Sequence, residues 1–162
     1  MLILARALLW GSAFVAFVLV YLPAQTLAWS GVSRPEATGT AQWAGAALVL
    51  LGIVPMAWSF LSFVFLGKGT AAPFDPPRRL VVEGPYRYVR NPMYLGAAIS
   101  LAGAALYYLS PWLGAYVLLF LTWAHLFVRH FEEPRLRRAF GEAYGAYTGR
   151  VRRWLPGRPG RT

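Results

Sequence analysis

Apolar residues follow one another along this chain in long runs that short polar and basic segments separate. The four longest runs cover about residues 4–29, 41–66, 93–109 and 112–128. A helix needs about 20 apolar residues to cross the hydrocarbon core of a bilayer, and the last two runs are slightly shorter. The pattern therefore predicts an all-α integral membrane protein with four transmembrane helices, of which the last two stand nearly upright.

The breaks between the runs predict how the helices are connected. Pro23 and Pro55 fall inside the first two runs, where a transmembrane helix tolerates a kink. Only Ser110 and Pro111 separate the third run from the fourth, which predicts a tight helical hairpin. Beyond the fourth run, residues 134–148 predict a C-terminal helix at the cytoplasmic membrane surface, because apolar side chains recur there at helical spacing. The apolar positions of this helix are Leu136, Phe140, Ala143 and Tyr147.

Composition and charge support a membrane location and indicate an orientation. Hydrophobic residues make up 57% of the chain and charged residues only 14%, whereas roughly a quarter of the residues in soluble domains are charged. The 16 lysines and arginines outnumber the 6 acidic residues. If the chain crosses the membrane four times, every basic residue except Arg34 lies on the same side of it. The positive-inside rule makes that side cytoplasmic, so both termini and the segment between the second and third helices are expected there.

The same composition argues against several other classes of protein. The basic residues flank apolar runs instead of covering a soluble face, which disfavours nucleic-acid binding. The chain contains no cysteine, which excludes disulfides, thiolate catalysis and cysteine-bound metals. His125 and His130 lie five residues apart and do not form a helical metal pair, so no metal site is expected.

Hydrogen-bonding and aromatic residues crowd the start of the third predicted helix. Pro92 suits the first helical turn, whose free N–H groups and positive dipole end can bind a carboxylate. The same residues would also serve as an ordinary basic and aromatic anchor at the membrane surface. Further along, Gly96, Ser100 and Gly103 form a stripe that favours close helix packing, although it could also admit a flat ligand. The crowding residues are Tyr86, Arg87, Tyr88, Arg90, Asn91 and Tyr94.

The end of the fourth predicted helix carries a second group of ionisable residues. His125, Arg129 and Glu132 fall on one helical face, because residues four and seven apart share a side. Glu133 follows directly, and Pro134 then ends or kinks the helix. Ionisable groups at the point where a helix leaves the bilayer are functional candidates. The alternative is a plain interfacial salt bridge from Arg129 to Glu132 or Glu133.

Several motifs stand in a fixed order along the second half of the chain. Residues 84–96 read G-P-Y-R-Y-V-R-N-P-M-Y-L-G, and they are followed by Glu132 with Glu133, Phe140 with Gly141, Tyr144, Tyr147 and residues 153–156. This ordered set resembles the isoprenylcysteine carboxyl methyltransferase-like family of integral membrane methyltransferases, which is distantly related to phospholipid N-methyltransferases. The resemblance covers about residues 67–156 of a single domain, so residues 1–66 add two N-terminal helices and residues 157–162 a flexible tail.

The resemblance implies S-adenosylmethionine as the methyl donor, bound on the cytosolic side by the last two membrane helices and their flanks. The family's R-H-P-x-Y-x-G signature and the first residue of its acidic pair are expected to bind this cofactor. Asn91 stands where the family often has His, which argues against a general base there and preserves a hydrogen bond to the cofactor. The expected cofactor-binding residues are Arg90, Asn91, Tyr94, Leu95, Gly96 and Glu132.

The chemistry of the acceptor decides which further residues are expected to take part. Methyl transfer from a sulfonium to a carboxylate is an in-line displacement that needs alignment more than proton transfer, and Arg129 or Arg153 is expected to hold such a carboxylate. An amine acceptor would need a base instead, for which Glu133 is the candidate.

The function expected from the sequence is S-adenosylmethionine-dependent methylation of a lipidic or prenylated acceptor, with O-methylation of a carboxylate as the first choice. The reaction is expected at the cytoplasmic face of the inner membrane. N-methylation of a phospholipid amine is the alternative, and a non-catalytic scaffold whose basic tail binds membrane lipids is a further one. Pocket shape, not motif, distinguishes these acceptors.

Overall fold

The computed structural model describes residues 12, 13, 15–65 and 79–157, apart from the side chains of residues 63 and 64. Every regular element in those ranges is a helix, so the all-α class predicted from the sequence is confirmed. A 3-10 turn, Gly84–Arg87, precedes the third helix, and a π-helical turn, Val128–Glu132, joins the fourth helix to the fifth. The helices are α1 (Ala16–Ser30, π-helical over Ala16–Tyr21), α2 (Thr40–Phe65), α3 (Pro92–Tyr107), α4 (Pro111–Phe127) and α5 (Glu133–Arg150).

Two helices in the described part of the chain are long and apolar enough to cross a membrane, by length and composition. One is Thr40–Ser62 within α2, and the other is the continuous helix Pro111–Arg150, whose apolar part is α4. The described part of α1 and the whole of α3 are apolar but shorter. The beginning of the first predicted run lies outside the described residues, as do residues 66–78. Crossing by four helices therefore stays a prediction.

The helices α2 and α3 are antiparallel, and they pack so closely that glycines meet across the interface. A Cβ atom on Gly96 would lie 2.5 Å from the carbonyl oxygen of Gly52, closer than real Cβ atoms come. A Cβ atom on Gly103 would lie 2.6 Å from the carbonyl oxygen of Gly45. The glycines therefore allow the two backbones to touch, as small residues do in membrane helix pairs. The small-residue stripe predicted on α3 is confirmed as a packing surface.

Two polar side chains connect the same pair of helices. The Ser100 hydroxyl donates a hydrogen bond to the Val49 carbonyl at 3.2 Å, between the two glycine pairs. The buried Gln42 amide donates to the Tyr107 carbonyl, also at 3.2 Å, where α3 ends. A side-chain hydrogen bond between membrane helices contributes only about 0.6 kcal/mol on average. Backbone contact at the glycines is therefore the main determinant of this interface.

The connection between α3 and α4 is the tight hairpin that the sequence predicts. Leu109 adopts a positive φ of 49°. Ser110 then caps α4, because its hydroxyl accepts a hydrogen bond from the Leu113 N–H at 3.3 Å. Pro111 occupies the first turn, where its missing N–H costs nothing. The hairpin returns α4 along α3, so that Phe120 is buried against apolar side chains of α3.

The predicted C-terminal helix is present as α5, and it is bent in the middle. Gly141 has a φ of 51° and a ψ of −124°, a conformation that residues with a Cβ atom rarely adopt. Beyond the bend, Tyr144 and Tyr147 are buried in a cluster with Val151. Leu80 and Val82, which lead into the 3-10 turn, pack on the same cluster, so α5 folds back against the segment that precedes α3.

Candidate functional site

A cleft lies where residues 80–86 and the start of α3 face the π turn and α5. The apolar part of its wall comes from Leu80, Val81, Met93, Val128 and Leu136. The polar residues that line it are Tyr86, Arg90, Asn91, Tyr94, Glu132, Glu133, Tyr144 and Tyr147. The two groups of polar residues that the sequence places at separate helix ends therefore meet in one cavity.

Glu133 is the buried anchor of this cleft. Arg153 donates to both of its carboxylate oxygens, from Nε at 2.7 Å and from Nη2 at 2.8 Å, in the bidentate arrangement that favours arginine. Arg90 adds a third hydrogen bond from Nη1 at 2.9 Å. Burial alone would raise the pKa of Glu133, but the hydrogen bond from Arg153 and the positive charges of Arg90, Arg153 and Arg137 outweigh it and hold the pKa below its ordinary value. Glu133 therefore stays ionised with both oxygens occupied.

Glu132, the preceding residue, is in a different electrostatic state. The Tyr94 hydroxyl donates to Glu132 Oε2 at 3.3 Å, and within the described residues no basic side chain lies within ion-pair distance of it. Burial raises the pKa of Glu132 to about 7, with the Tyr94 hydrogen bond opposing the shift and the charge of Glu133 adding to it. The residue lies beyond the apolar part of the helix, which ends at Phe127. Glu132 is therefore a half-buried carboxylate that can change its protonation state near neutral pH.

The π turn explains why two consecutive glutamates can both serve the cleft. Its wide turn is closed by a hydrogen bond from the Glu133 N–H to the Val128 carbonyl, five residues earlier. A π turn holds one residue more than an α-helical turn, so it shifts the angular position of everything that follows. Arg129 consequently does not join Glu132 in the cleft, as the predicted common face of His125, Arg129 and Glu132 would require. Glu132 lines the cleft, whereas Arg129 is exposed outside it.

Residues 151–157, the closing segment, run beside residues 88–91 and complete one side of the site. The Arg90 N–H donates to the Arg152 carbonyl at 2.9 Å, and the Gly157 N–H donates to the Tyr88 carbonyl at 3.0 Å. The Asn91 side-chain amide donates to the Arg153 carbonyl at 3.1 Å. Asn91 thus fastens the closing segment and does not cap α3 with its side chain.

Aromatic rings hold Tyr94 between α4 and the closing segment. Its ring meets that of Trp123 at 6.4 Å and that of Trp154 at 6.5 Å between centroids, both in edge-to-face orientation. The Trp154 indole N–H in turn donates to Nδ1 of His125 at 3.0 Å. Edge-to-face pairs of this kind have a preferred geometry. The Tyr94 ring is therefore fixed from two sides while its hydroxyl reaches Glu132.

One buried polar atom of the cleft has no hydrogen-bond partner among the described residues. It is Nε of Arg90, whose side chain is only 13% exposed. Burying a donor without a hydrogen-bond partner costs its desolvation free energy, of the order of 1–3 kcal/mol, and no hydrogen bond compensates for that cost. The orphaned donor therefore points to a ligand group that accepts a hydrogen bond.

The structure brings most of the predicted site residues together. Of the predicted catalytic residues, Glu133 lines the cleft and Arg153 reaches it through its ion pair with Glu133. The salt bridge considered from Arg129 to the acidic pair is not among the ion pairs of the described residues; Glu133 pairs instead with Arg90, just before α3, and with Arg153 of the closing segment. The predicted cofactor-binding residues that line the cleft are Arg90, Asn91, Tyr94 and Glu132.

The structure places three of the predicted residues elsewhere. Gly96 lies against Gly52, because two residues beyond Tyr94 the helix has turned almost to its opposite side. Leu95 is likewise not part of the cleft wall. Arg129 is exposed and is separated from the cleft by the phase shift of the π turn. These positions give Gly96 a role in helix packing.

The sequence analysis includes Tyr144 and Tyr147 among its ordered motifs but does not assign them to the site, whose wall they form. Tyr144 and Tyr147 lie three residues apart on α5, and this spacing was the available signal for a shared face. The Tyr147 hydroxyl donates to the Tyr86 carbonyl at 2.9 Å and ties α5 to the 3-10 turn. Trp154 was also missed, because its contacts with His125 and Tyr94 depend on the path of the closing segment.

Comparison with known proteins supplies one match. The family model described as phospholipid methyltransferase matches residues 40–143, which is more than half of the chain. The matched region runs from the start of α2 past the bend in α5 and includes both glutamates. No curated protein and no solved structure matches the chain.

Proposed function

Because the chain belongs to the phospholipid methyltransferase family, we propose that it methylates a phospholipid amine with S-adenosylmethionine as the donor. Membership of this family implies a membrane methyltransferase, and the long apolar helices agree with a membrane location. The observation that carries the proposal is Glu132, a cleft carboxylate that no described basic side chain neutralises. Both ligands of the proposed reaction, a sulfonium donor and an ammonium acceptor, are cations.

Two groups in the cleft suit the amino-acid end of S-adenosylmethionine, which carries an ammonium and a carboxylate. Glu132 accepts a hydrogen bond from Tyr94 and has capacity to accept another from an ammonium. The buried Nε of Arg90 lacks a partner, and a ligand carboxylate would supply one. When bound, the cofactor supplies a methyl group that an acceptor can attack directly. The task of these residues is therefore to hold and align it.

The charges of the cleft favour an amine over a carboxylate as the acceptor. The arginines that could hold an acceptor carboxylate, Arg90 and Arg153, already bind Glu133. Arg129, the other predicted candidate, is exposed outside the cleft. With Glu132 ionised, two carboxylates balance two guanidinium groups. The cleft therefore offers no surplus positive charge to an anionic acceptor.

An amine acceptor has to lose its proton before it attacks, and Glu133 is a poor base for this step. Both of its oxygens accept hydrogen bonds from arginine, and its pKa is lowered. We therefore infer that the acceptor reacts as its minor neutral form after its proton has passed to water. The rate of methyl transfer is then expected to rise with pH towards the pKa of the amine.

O-methylation of a lipid carboxylate is the second candidate function, and one observation favours it. Once Glu132 holds the cofactor, no further free carboxylate and no imidazole lines the described cleft. A carboxylate acceptor needs no base, so it would suit such a site. At saturating S-adenosylmethionine, its rate would not depend on pH above the pKa of the acceptor, in contrast to that of an amine.

The decisive experiment combines cofactor binding with a test of acceptors. The protein is purified in detergent, titrated calorimetrically with S-adenosylmethionine, and then assayed in lipid nanodiscs for methyl transfer to phosphatidylethanolamine and to a prenylated carboxylate. We expect methylation of the amine, with a rate that increases from neutral to alkaline pH. Methylation of the carboxylate alone, at a rate independent of pH, would replace the first candidate by the second.

A matched pair of variants tests the role of Glu132. The change Glu132→Gln is expected to weaken cofactor binding about 10- to 100-fold, because a charge-assisted hydrogen bond is lost. The control is Glu142→Gln, which makes the same change at an exposed position of α5. Unchanged cofactor affinity in the Glu132 variant would remove this residue from the binding site.

We also propose that four helices cross the membrane and that the cleft faces the cytoplasm. Exposed arginines on α5 support this orientation, since basic residues accumulate on the cytoplasmic side. The chain contains no cysteine, so single cysteines can report the sidedness without background. A cysteine introduced at exposed Arg138 is expected to resist a membrane-impermeant maleimide in intact cells, whereas one at Arg34 is expected to react. The reverse pattern would invert the orientation.

A further inference from the structure

A hydrogen bond between His125 and Trp154 lies just outside the cleft and has no part in the reaction proposed above. The indole N–H of Trp154 donates to Nδ1 of His125 at 3.0 Å, and the two ring centroids are 6.2 Å apart. An indole nitrogen can only donate, so Nδ1 of His125 must accept and its proton lies on Nε2. The bond therefore requires the neutral imidazole in a single tautomer.

This hydrogen bond is connected to the cleft by one aromatic contact. The Trp154 ring meets the Tyr94 ring edge-to-face at 6.5 Å, and the Tyr94 hydroxyl donates to Glu132 at 3.3 Å. A rotation of the indole would remove the support of the Tyr94 ring on that side. Of the two described edge-to-face contacts of the Tyr94 ring, only the one with Trp123 would then remain.

The closing segment does not need His125 to remain in place. Three hydrogen bonds join it to residues 88–91, two from backbone N–H groups and one from Asn91. The ion pair between Arg153 and Glu133 fixes it once more. What these bonds leave undetermined is the rotation of the Trp154 side chain. The hydrogen bond to His125 restricts that rotation.

We propose that His125 is a positioning residue, which orients Trp154 against Tyr94 and thereby directs the Tyr94 hydroxyl at Glu132. His125 itself touches neither cofactor nor acceptor, and it acts only through the two aromatic rings. The inference rests on the proposed function, because it assigns to Glu132 the binding of the cofactor. It also extends the site beyond residues 40–143, since Trp154 follows the region that the family model matches.

Two substitutions of His125 separate orientation from simple packing. His125→Phe keeps a ring and removes the acceptor, whereas His125→Asn places an amide oxygen near the position of Nδ1. We expect the phenylalanine variant to raise the KM for S-adenosylmethionine about 5- to 10-fold, the equivalent of one hydrogen bond. The KM for the lipid acceptor is expected to stay unchanged. The asparagine variant is expected to remain within about twofold of the wild type, because its oxygen can accept the indole N–H.

The control is His130→Phe, which makes the same change at an exposed histidine and is expected to leave both KM values unchanged. Trp154→Phe provides a second approach if the His125 variants fold poorly, since it removes the donor and keeps a ring. Its effect on the cofactor KM should equal that of His125→Phe, and the double variant should be no worse than either.

Three results would overturn the inference. They are an asparagine variant as impaired as the phenylalanine variant, a parallel rise of both KM values, and no change in the cofactor KM. Calorimetry separates these failures from a failure of the proposed function. No binding of S-adenosylmethionine to the wild type would refute the proposed function itself. Equal binding by the wild type and by His125→Phe would refute only the positioning role.

Discussion

The helix α3 takes part in two regions of opposite character. On one side, Gly96 and Gly103 bring its backbone into contact with α2, with no side chain in between. On the other side, Asn91 and Tyr94 extend into a cleft that hydrogen bonds and charges organise. The first region depends mainly on the absence of side chains at its glycines, and the second on interactions between side chains. Since Tyr94 and Gly96 are two residues apart on one rigid helix, a shift of α3 against α2 at Gly96 would also move Tyr94 in the cleft.

The same contrast recurs inside the cleft between neighbouring glutamates. Glu133 is buried and its charge is neutralised by Arg90 and Arg153. Glu132 has only the Tyr94 hydroxyl as a described hydrogen-bond donor, and its pKa is raised to about 7. Like the backbones that meet at the glycine interface, the Glu133 carboxylate makes its contacts within the protein, with Arg90 and Arg153. Of the two glutamates, only Glu132 retains the capacity to bind something else.

Replacing Glu133 is expected to have the largest effect on stability. The change Glu133→Gln leaves the guanidinium groups of Arg90 and Arg153 without a counter-charge, at a cost of about 3 kcal/mol in the free energy of unfolding. Chemical or thermal unfolding in detergent measures this cost. The exposed control Glu142→Gln should change the free energy by less than about 0.5 kcal/mol. A Glu133→Gln protein as stable as the wild type would mean that the ion pairs do not support the fold.

Filling the glycine interface is expected to have the next largest effect. In Gly96→Ala the new methyl group meets the Gly52 carbonyl at 2.5 Å, so the helices must separate, at a cost of about 2 kcal/mol. Gly114→Ala in α4 is the matched control, since nothing lies within 4 Å of its Cβ position. It should be as stable as the wild type or slightly more stable. Equal stability of both variants would show that the helices do not touch at Gly96.

The pH dependence of the cofactor-free protein is a smaller effect that distinguishes the two glutamates. The pKa of Glu132 is raised from an ordinary value of 4.5 to about 7. Its contribution to stability is therefore complete below pH 4.5 and is lost as the pH rises through 7. Glu133 has a lowered pKa, so its contribution is lost only as the pH falls below its ordinary range.

The melting temperature measured between about pH 5 and pH 8 tests this assignment. The decline with rising pH is expected in the wild type and in Glu142→Gln, and it should be absent in Glu132→Gln. Cofactor affinity should increase over the same interval in the wild type, because an ammonium binds the ionised carboxylate. A decline of equal size in the Glu132→Gln variant would assign the titration to another group.

The helices were predictable because their signals are local and strong. The apolar run at residues 93–109 became Pro92–Tyr107, and the run at residues 112–128 became Pro111–Phe127. Prolines at the first helical turn and a short polar break define these ends independently of tertiary contacts. The bend at Gly141 was not predicted, since the sequence shows only that glycine weakens a helix there.

The site was predictable in its components but not in its arrangement. The pairing of Tyr94 with Glu132 follows the expectation that the start of α3 and the end of α4 form one pocket. The directions in which the residues beyond Phe127 point were not predictable, because the π turn at Val128–Glu132 has no sequence pattern that distinguishes it from an α-helical turn. For the same reason, the spacing argument placed Arg129 beside Glu132. The ion pair between Arg153 and Glu133 was not predictable either, because it depends on the path of the closing segment.

The position of Arg153, 20 residues after Glu133, has a consequence for biosynthesis. Glycine contacts between α2 and α3 can form while the ribosome is still adding residues, but the partner of Glu133 is translated 20 residues after it. During that interval the nascent chain carries a carboxylate whose strongest counter-ion does not yet exist. Because chains fold from the N-terminus as they are made, the cleft is assembled last. A ribosome that stalls before Arg153 would release an inserted helix bundle without a finished site.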